Sequence, residues 1–399
     1  MSDTVASVEE KLQRNIAVDA YRGLVMLLMM GEVLQLAHVA HSFPNNFLWR
    51  FLAYNQSHVE WAGVSLHDMI QPSFTFLVGV ALPYSLRSRQ KKGASFQRML
   101  GHTIWRSFLL VALGIFLRST QGPITNFTFE DTLTQIGLGY TFAFLLTFVR
   151  PRWQWTALGG ILFAYWLAWA LYPAPDANFN YAAVGVANDW HRHLFTGFAA
   201  HWNMNSNLGQ AFDVWFLNLF PRTSPFLFNT GGYLTLSFIP TLGTMLLGIA
   251  AGRWSLAAAP SIPMRRFLLA GAALVAVGLL LHFTGICPIV KRIWTPSWTL
   301  FSGGVCFFFL AAFSWVVDIK KQRGLAFPLV VVGMNSIAAY LIANLCEEFV
   351  ESSIRINLGA SALNILGPAL EPTVLGALTL GVYWLMLFWM YRKELFIRI

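Results

Sequence analysis

Between His58 and Tyr84 the chain reads H-V-E-W-A-G-V-S-L-H-D-M-I-Q-P-S-F-T-F-L-V-G-V-A-L-P-Y. The first half of this stretch sets His58, Glu60, Trp61, His67 and Asp68 ahead of an apolar run without a charge. An imidazole with an ordinary pKa of about 6.5 takes a proton from an amine or a hydroxyl near neutral pH. It also serves as an acyl-accepting nucleophile. Asp68, ten residues on, is placed to orient the His58 ring or to hold it in one tautomer. Glu60 carries the same group, but positions so close in sequence usually point apart. The plain alternative for His58 is an interfacial histidine with no chemical role.

Other polar groups fall inside apolar stretches. Glu32 lies within M-M-G-E-V-L-Q-L-A-H. An ionisable group at that depth costs about 2.5–3.5 kcal/mol to insert, so it is expected to face a polar interior and to mark a function. Asp19 and Arg22, three residues apart, share a helix face and read either as an ion pair at a helix start or as ligand-binding groups. His191 and His193, with His201 further on, have no partnering Cys or acidic cluster, so no metal is expected.

The elements that must position these groups are set by composition. The 399 residues are 56% hydrophobic and 11% charged. Apolar runs of about 20 residues cross the roughly 30 Å of bilayer hydrocarbon. The expected fold is an all-α polytopic membrane protein, one transmembrane domain over 1–399. About ten spans are expected, near 20–40, 68–86, 104–120, 132–149, 154–172, 233–251, 266–283, 297–317, 326–346 and 369–391. The net charge of +9 does not indicate nucleic acid, because the cations cluster in short loops between apolar runs. Placing the N-terminus inside leaves Arg50, Arg118, Arg192, Arg222, Lys291, Arg292 and Arg355 outside and most of the 27 Lys and Arg within, Lys11, Arg14 and Arg398 among them. That asymmetry fixes the orientation, and an even number of spans puts both termini in the cytoplasm. The polar N-terminal segment lacks a small-residue cleavage site, so the first span is expected to be an uncleaved anchor.

His58 then lies on the extracytoplasmic side, as does a long loop at about 173–232 rich in Asn and aromatic residues. Such a loop suits sugar binding through amides and ring faces, or forms an ordered cap whose polar groups satisfy one another. Cys287, Cys306 and Cys346 have no metal-like spacing and suggest no disulfide framework. The chain has no phosphate-binding P-loop and no G-x-G-x-x-G after a strand, so an ATP-driven pump is not supported.

The blocks V-D-A-Y-R-G at 18–23 and H-V-E-W-A-G-V-S-L-H-D-M-I-Q-P-S-F-T-F-L-V-G resemble the transmembrane acetyltransferases typified by heparan-alpha-glucosaminide N-acetyltransferase. I-W-R-S-F-L-L at 104–110, L-G-T-M-L-L-G-I-A-A-G at 242–252, P-I-V-K-R-I-W-T-P-S-W-T-L at 288–300 and G-M-N-S-I-A-A-Y at 333–340 agree in the same order. The resemblance implies that acetyl-CoA is the donor, held within the helix bundle. It implies an acceptor amine on a terminal amino sugar, reached on the far side of the membrane. His58 matches the histidine of the H-x-x-W-x-G motif, and Asp68, Gln71 and Pro72 match the stretch after it, with Gln71 replacing an aromatic. Asn335 and Ser336 match the G-M-N-S block. By motif position Trp61 floors the sugar site, and Lys291 with Trp294 lines it from another loop. Arg106 and Arg22 are the candidates for the phosphates of CoA.

Two departures stand out. Glu32 and Val33 occupy the place of the family's asparagine late in the first span, and Gln135 replaces an arginine in L-T-Q-I-G, so the resemblance makes Glu32 a candidate for binding the acceptor and Gln135 for binding the donor. The large domain ahead of the first core span of the animal enzyme has no counterpart, so a compact bacterial inner-membrane relative is expected. The expected function is transfer of acetyl from acetyl-CoA to the amine, or the hydroxyl, of an amino sugar, with His58 as general base or acyl acceptor. A homodimer in the bilayer is implied by the resemblance alone. The competing expectation is a secondary transporter of a sugar, lipid or ion, coupled through Glu32 and Glu347 or Glu348. It is disfavoured by the lack of an inverted repeat or of Gly/Pro-broken spans at matching positions.

Overall fold

The computed structural model describes residues 15–120 and 122–397. Lys11, Arg14 and Arg398, three of the cations used for orientation, lie outside the described residues. Among the described residues the chain is helical, with one isolated antiparallel bridge between Ala62 and Val290 and no strand. The helices are α1 Ile16–Met30, α2 Leu36–Ser42, α3 Phe47–Gln56, α4 Ile70–Lys91, α5 Phe96–Ser119, α6 Thr132–Thr147, α7 Pro151–Leu171, α8 Leu208–Leu217, α9 Phe238–Ala258, α10 Met264–Phe283, α11 Pro296–Ser314, α12 Arg323–Gly333, α13 Ser336–Leu345, α14 Glu347–Leu363 and α15 Glu371–Arg392. They fall into two compact units, one built from Ser57–Phe307 and the other from the residues up to Gln56 with those from Phe308 onward.

Six of the helical segments are long and apolar enough to cross a membrane alone, and two bent pairs raise the number to eight. This is fewer than the ten expected. At 16 residues α6 is only about 24 Å long, short of the hydrocarbon thickness. Helix α7 has the length but carries Arg152, Gln154, Thr156 and four tryptophans, whose polar edges lower its hydropathy.

The Ser57–Phe307 unit is organised around α9, whose apolar window is 83% buried. It lies against α4 at backbone distance. A Cβ on Gly79 of α4 would stand 2.1 Å from the Met245 carbonyl oxygen, and one on Gly248 of α9 would stand 2.0 Å from that of Phe76. Only glycine permits this approach, which is the usual way helices pack where water supplies no hydrophobic drive. The long loop of the same unit folds over a core of Trp61, Tyr165, Trp169, Trp202, Met204, Leu234, Cys287 and Val290. Several of its asparagines bond groups of the loop itself. Asn203 donates to Tyr181 Oη and the Phe195 carbonyl, and its Oδ1 accepts from Phe195 N. Asn205 donates to the Val184 and Asn229 carbonyls, and Asn207 caps α8 by accepting from Gln210 N. These bonds are those expected of an ordered cap.

In the other unit both bent spans have a polar residue at the break, Gln35 in one and Asn335 in the other. The first bends by 45° between α1 and α2, where Gln35 adopts φ 48. The amide of Gln56 takes over the freed backbone there: Nε2 donates to the Gly31 carbonyl at 2.5 Å, and Oε1 accepts from Leu36 N at 2.7 Å. A buried backbone group left without a partner in hydrocarbon costs several kcal/mol, so the break persists because Gln56 fills it. The second span bends by 61° between α12 and α13, at Asn335.

Candidate active site

The residues between α3 and α4 carry little regular structure, and side-chain bonds give them their shape. Asp68 closes the segment, in a 3-10 turn that leads directly into α4. Its Oδ2 accepts from Ser65 N at 3.1 Å and from Val59 N at 3.3 Å, and Ser65 Oγ lies 3.0 Å away. Ser65 Oγ is also 2.6 Å from the Ser57 carbonyl and accepts from Asp68 N. The carboxylate is therefore fixed by its own neighbours before it meets the imidazole. Asp68 Oδ1 stands 2.7 Å from His58 Nδ1.

A second segment, between α10 and α11, closes the site. Gly63 N donates to the Ile289 carbonyl, and Arg292 donates to the carbonyls of Val59 and Gly231. With the Ala62–Val290 bridge these bonds bring Lys291 against His58. Lys291 Nζ lies 3.2 Å from His58 Nδ1, 3.5 Å from Nε2 and 3.6 Å from Asp68 Oδ1. The His67 ring stands edge-on at 4.5 Å from that of His58.

These distances assign the tautomer. A carboxylate only accepts, so the short contact places the proton on His58 Nδ1 and leaves the Nε2 lone pair as the basic site. The side chains of Asp68 and Lys291 are 1% and 6% exposed, whereas that of His58 is 36% exposed. The imidazole is the member of the trio that an incoming molecule can reach. Burial lowers its pKa most. The Asp68 hydrogen bond opposes that effect, and the charges of Lys291 and His67 reinforce it, so the net shift is downward. His58 is thus an unprotonated base at neutral pH, able to accept a proton or an acyl group at Nε2.

The remaining residues named from sequence are spread over both units. Trp61 and Trp294 lie in the His58 unit but are 1% and 2% exposed, and they donate to the Trp202 carbonyl and to Thr244 Oγ1. They support the site from beneath and offer no open ring face, which corrects the expectation of Trp61 as a sugar floor. Gln135, 1% exposed, donates to the carbonyls of Phe129, Leu234 and Thr235, a structural clamp where a cofactor contact was expected. Arg106 donates to Tyr140 Oη at 3.0 Å and lies over that ring. Glu60 turns away from His58 and accepts from Trp190 Nε1 at 3.3 Å.

Arg22, Glu32, Asn335 and Ser336 belong to the other unit. Arg22 donates to Asp19 at 3.0 Å. Glu32 sits exposed in the 3-10 turn at the first span's bend. Asn335 holds the chain's end, donating to the Leu395 carbonyl and accepting from Ile397 N, while Ser336 opens α13. Ser65, Tyr233 and Arg292 were not singled out from sequence. Ser65 had a local signal, its three-residue spacing to Asp68. Tyr233 and Arg292 had none, because their contacts with the His58 segment span more than 170 residues.

Helices of membrane length among the described residues point to a multi-pass membrane protein, in which a buried carboxylate lies against an exposed imidazole where one span begins. No family model matches the chain. Among curated proteins, it is similar to the human heparan-alpha-glucosaminide N-acetyltransferase, at 25% identity over 96% of the chain and 59% of the relative. The mouse heparan-alpha-glucosaminide N-acetyltransferase is 24% identical over 83% of the chain and 53% of the relative. These similarities support the heparan-alpha-glucosaminide N-acetyltransferase-like family. The chain spans a little over half the length of the curated relatives it matches.

Proposed function

We propose that this protein is a membrane acetyltransferase that moves an acetyl group from acetyl-CoA to the amine of a terminal amino sugar. The observation that carries the reading is the 2.7 Å contact between Asp68 Oδ1 and His58 Nδ1, on an imidazole whose side chain is 36% exposed. The names of the two relatives supply the reaction class. The acceptor's neutral amine attacks the thioester carbonyl, His58 Nε2 takes the amine's proton, and the CoA thiolate leaves and is protonated. The second route forms acetyl-His58 first and transfers it to the amine afterwards. In either route Asp68 orients the ring and stabilises the imidazolium. The Lys291 ammonium keeps the resting imidazole neutral, and Arg106 is the candidate for a CoA phosphate, since guanidinium pairs well with phosphate.

Sidedness follows the charge asymmetry of the loops: donor from the cytoplasmic face, acceptor at the opposite face, in a bacterial inner membrane. A homodimer is part of the proposal through the family resemblance. The test is purified protein with acetyl-CoA and glucosamine, followed by free thiol. Thiol release that requires glucosamine and falls by about 100-fold or more in His58→Ala supports the reading. Thiol release before acceptor is added selects the acetyl-His58 route. Undiminished release in His58→Ala removes His58 from the chemistry.

The two bent spans, with Gln35 and Asn335 at their breaks, are the observation that favours a carrier, since broken helices commonly hold transported ions. Acetyl transfer in detergent, where no compartments exist, decides against that second reading.

A further inference from the structure

Beyond the neighbouring His67 ring, the aromatic group that borders His58 is neither Trp61 nor Trp294 but Tyr233. Its ring centroid lies 6.5 Å from that of His58, in an edge-on arrangement. The Arg292 guanidinium sits 5.5 Å from the Tyr233 ring and Lys291 Nζ 5.8 Å from it. Two cations lie over one ring and hold it in place. What Tyr233 offers an incoming molecule is its edge and its hydroxyl. No described residue hydrogen-bonds that hydroxyl, and burial raises the phenol's pKa, so it is a protonated donor at neutral pH.

The loop that carries Tyr233 is built for position. Asn229 Oδ1 accepts from Gly231 N at 2.8 Å and from Tyr233 N at 3.3 Å, and the Asn229 carbonyl accepts from Gly232 N. Gly232 has φ +70, and a Cβ there would lie 2.8 Å from the Trp61 ring, so the loop lies flat on Trp61. Asn229 Nδ2 donates to Glu130 Oε1 at 3.1 Å, and Glu130 is itself held by Thr128 Oγ1. A tether thus runs from Glu130 through Asn229 to the backbone of Tyr233.

We propose that Tyr233 is the acceptor-recognition residue of the His58 site: its hydroxyl bonds a sugar hydroxyl next to the reacting amine, and the Asn229–Glu130 tether sets its position. The inference rests on the acetyltransferase reading and deepens it. A general base must lie within about 3 Å of the proton it takes, which fixes the amine at His58. On an amino sugar the groups one carbon away from the amine are the C1 and C3 oxygens, and these face a wall standing beside the imidazole. An amine without a neighbouring hydroxyl forgoes the bond to this half-buried phenol and is disfavoured by that much.

The experiment measures kcat/KM for glucosamine and its 1-deoxy and 3-deoxy analogues, in wild type and Tyr233→Phe. Wild type is expected to lose about tenfold on one analogue, the usual cost of one hydrogen bond to a buried partner. Tyr233→Phe is expected to lose a similar factor on glucosamine, to lose nothing further on that analogue, and to keep its KM for acetyl-CoA. Glu130→Ala is expected to raise the KM for glucosamine but not for acetyl-CoA, and Glu130→Gln, which keeps the acceptor for Asn229, to restore it. A Tyr233→Phe enzyme that still discriminates against the same analogue overturns the recognition role. Equal increases of both KM values in Glu130→Ala, unrelieved by Glu130→Gln, overturn the tether. Wild type that acetylates no amino sugar overturns the underlying acetyltransferase reading, and the inference with it.

Discussion

His58 Nδ1 and Asp68 Oδ1 are 2.7 Å apart, yet the imidazole is 36% exposed and the carboxylate 1%. One partner is open to an incoming molecule. The other is locked by Ser65 and the Val59 amide, and cannot turn away. This asymmetry is what the proposed roles require: Asp68 orienting and His58 reacting.

Replacing Asp68 with Asn keeps the shape and removes the charge that stabilises an imidazolium. The turnover rate is expected to fall by about 100-fold or more, with little change in acetyl-CoA affinity. The same change strips Lys291, 6% exposed, of its carboxylate partner. Breaking a buried pair costs about 3 kcal/mol or more, so Asp68→Asn is expected to melt earlier. Asp68→Asn combined with Lys291→Met should recover the melting temperature and not the rate. Recovery of the rate as well would make Asp68 a structural residue only.

Lys291 acts on the imidazole through its charge. Its ammonium disfavours a second positive charge at His58, which adds to the effect of burial in lowering that pKa. The proposed mechanism needs His58 unprotonated, so activity is expected to be retained above the lowered pKa and lost as the pH falls through it. In Lys291→Met the pKa rises, and the acidic limb of the kcat/KM profile should move to higher pH. A limb that stays in place would show that the base does not feel Lys291.

Local signals carried more of this molecule than distant ones. Helical class and membrane-length runs were readable because twenty apolar residues in a row leave no other low-energy solution. The His58 and Asp68 pair stood out because both lie within ten residues of the start of one span. The breaks in two spans were not readable. The first is stabilised by Gln56, whose amide returns to Gly31 and Leu36 from a different helix. Trp61 and Trp294 looked like sugar-facing rings by motif position, but the fold uses both to fill the core beneath the site. Tyr233 was invisible for the converse reason. Its place beside His58 depends on Gly232 lying on Trp61 and on Asn229 reaching Glu130, contacts that no periodicity announces.

Asp213 offers a test of the long loop's packing that is independent of catalysis. It lies on α8, 2% exposed, and its Oδ2 accepts from Thr235 N at 3.0 Å. Burial pushes its pKa up to about 7. The Thr235 contacts and Arg222 work against that shift, and Glu130 works with it. The folded protein therefore keeps a proton that the unfolded chain, with an ordinary carboxylate pKa of 3.8, has released. Stability contributed by this proton is complete below about pH 4, declines as the pH rises towards 7, and is gone above that. A shift of this size corresponds to roughly 4 kcal/mol between the two ends of the window. Asp213→Asn keeps the acceptor for Thr235 and has nothing to titrate. The wild type's melting temperature should fall between pH 5 and pH 8, and the variant's should fall measurably less, so that the variant is the more stable protein at pH 8. Parallel melting curves across that window would mean that Asp213 is ionised in the folded state, with Arg222 holding the charge.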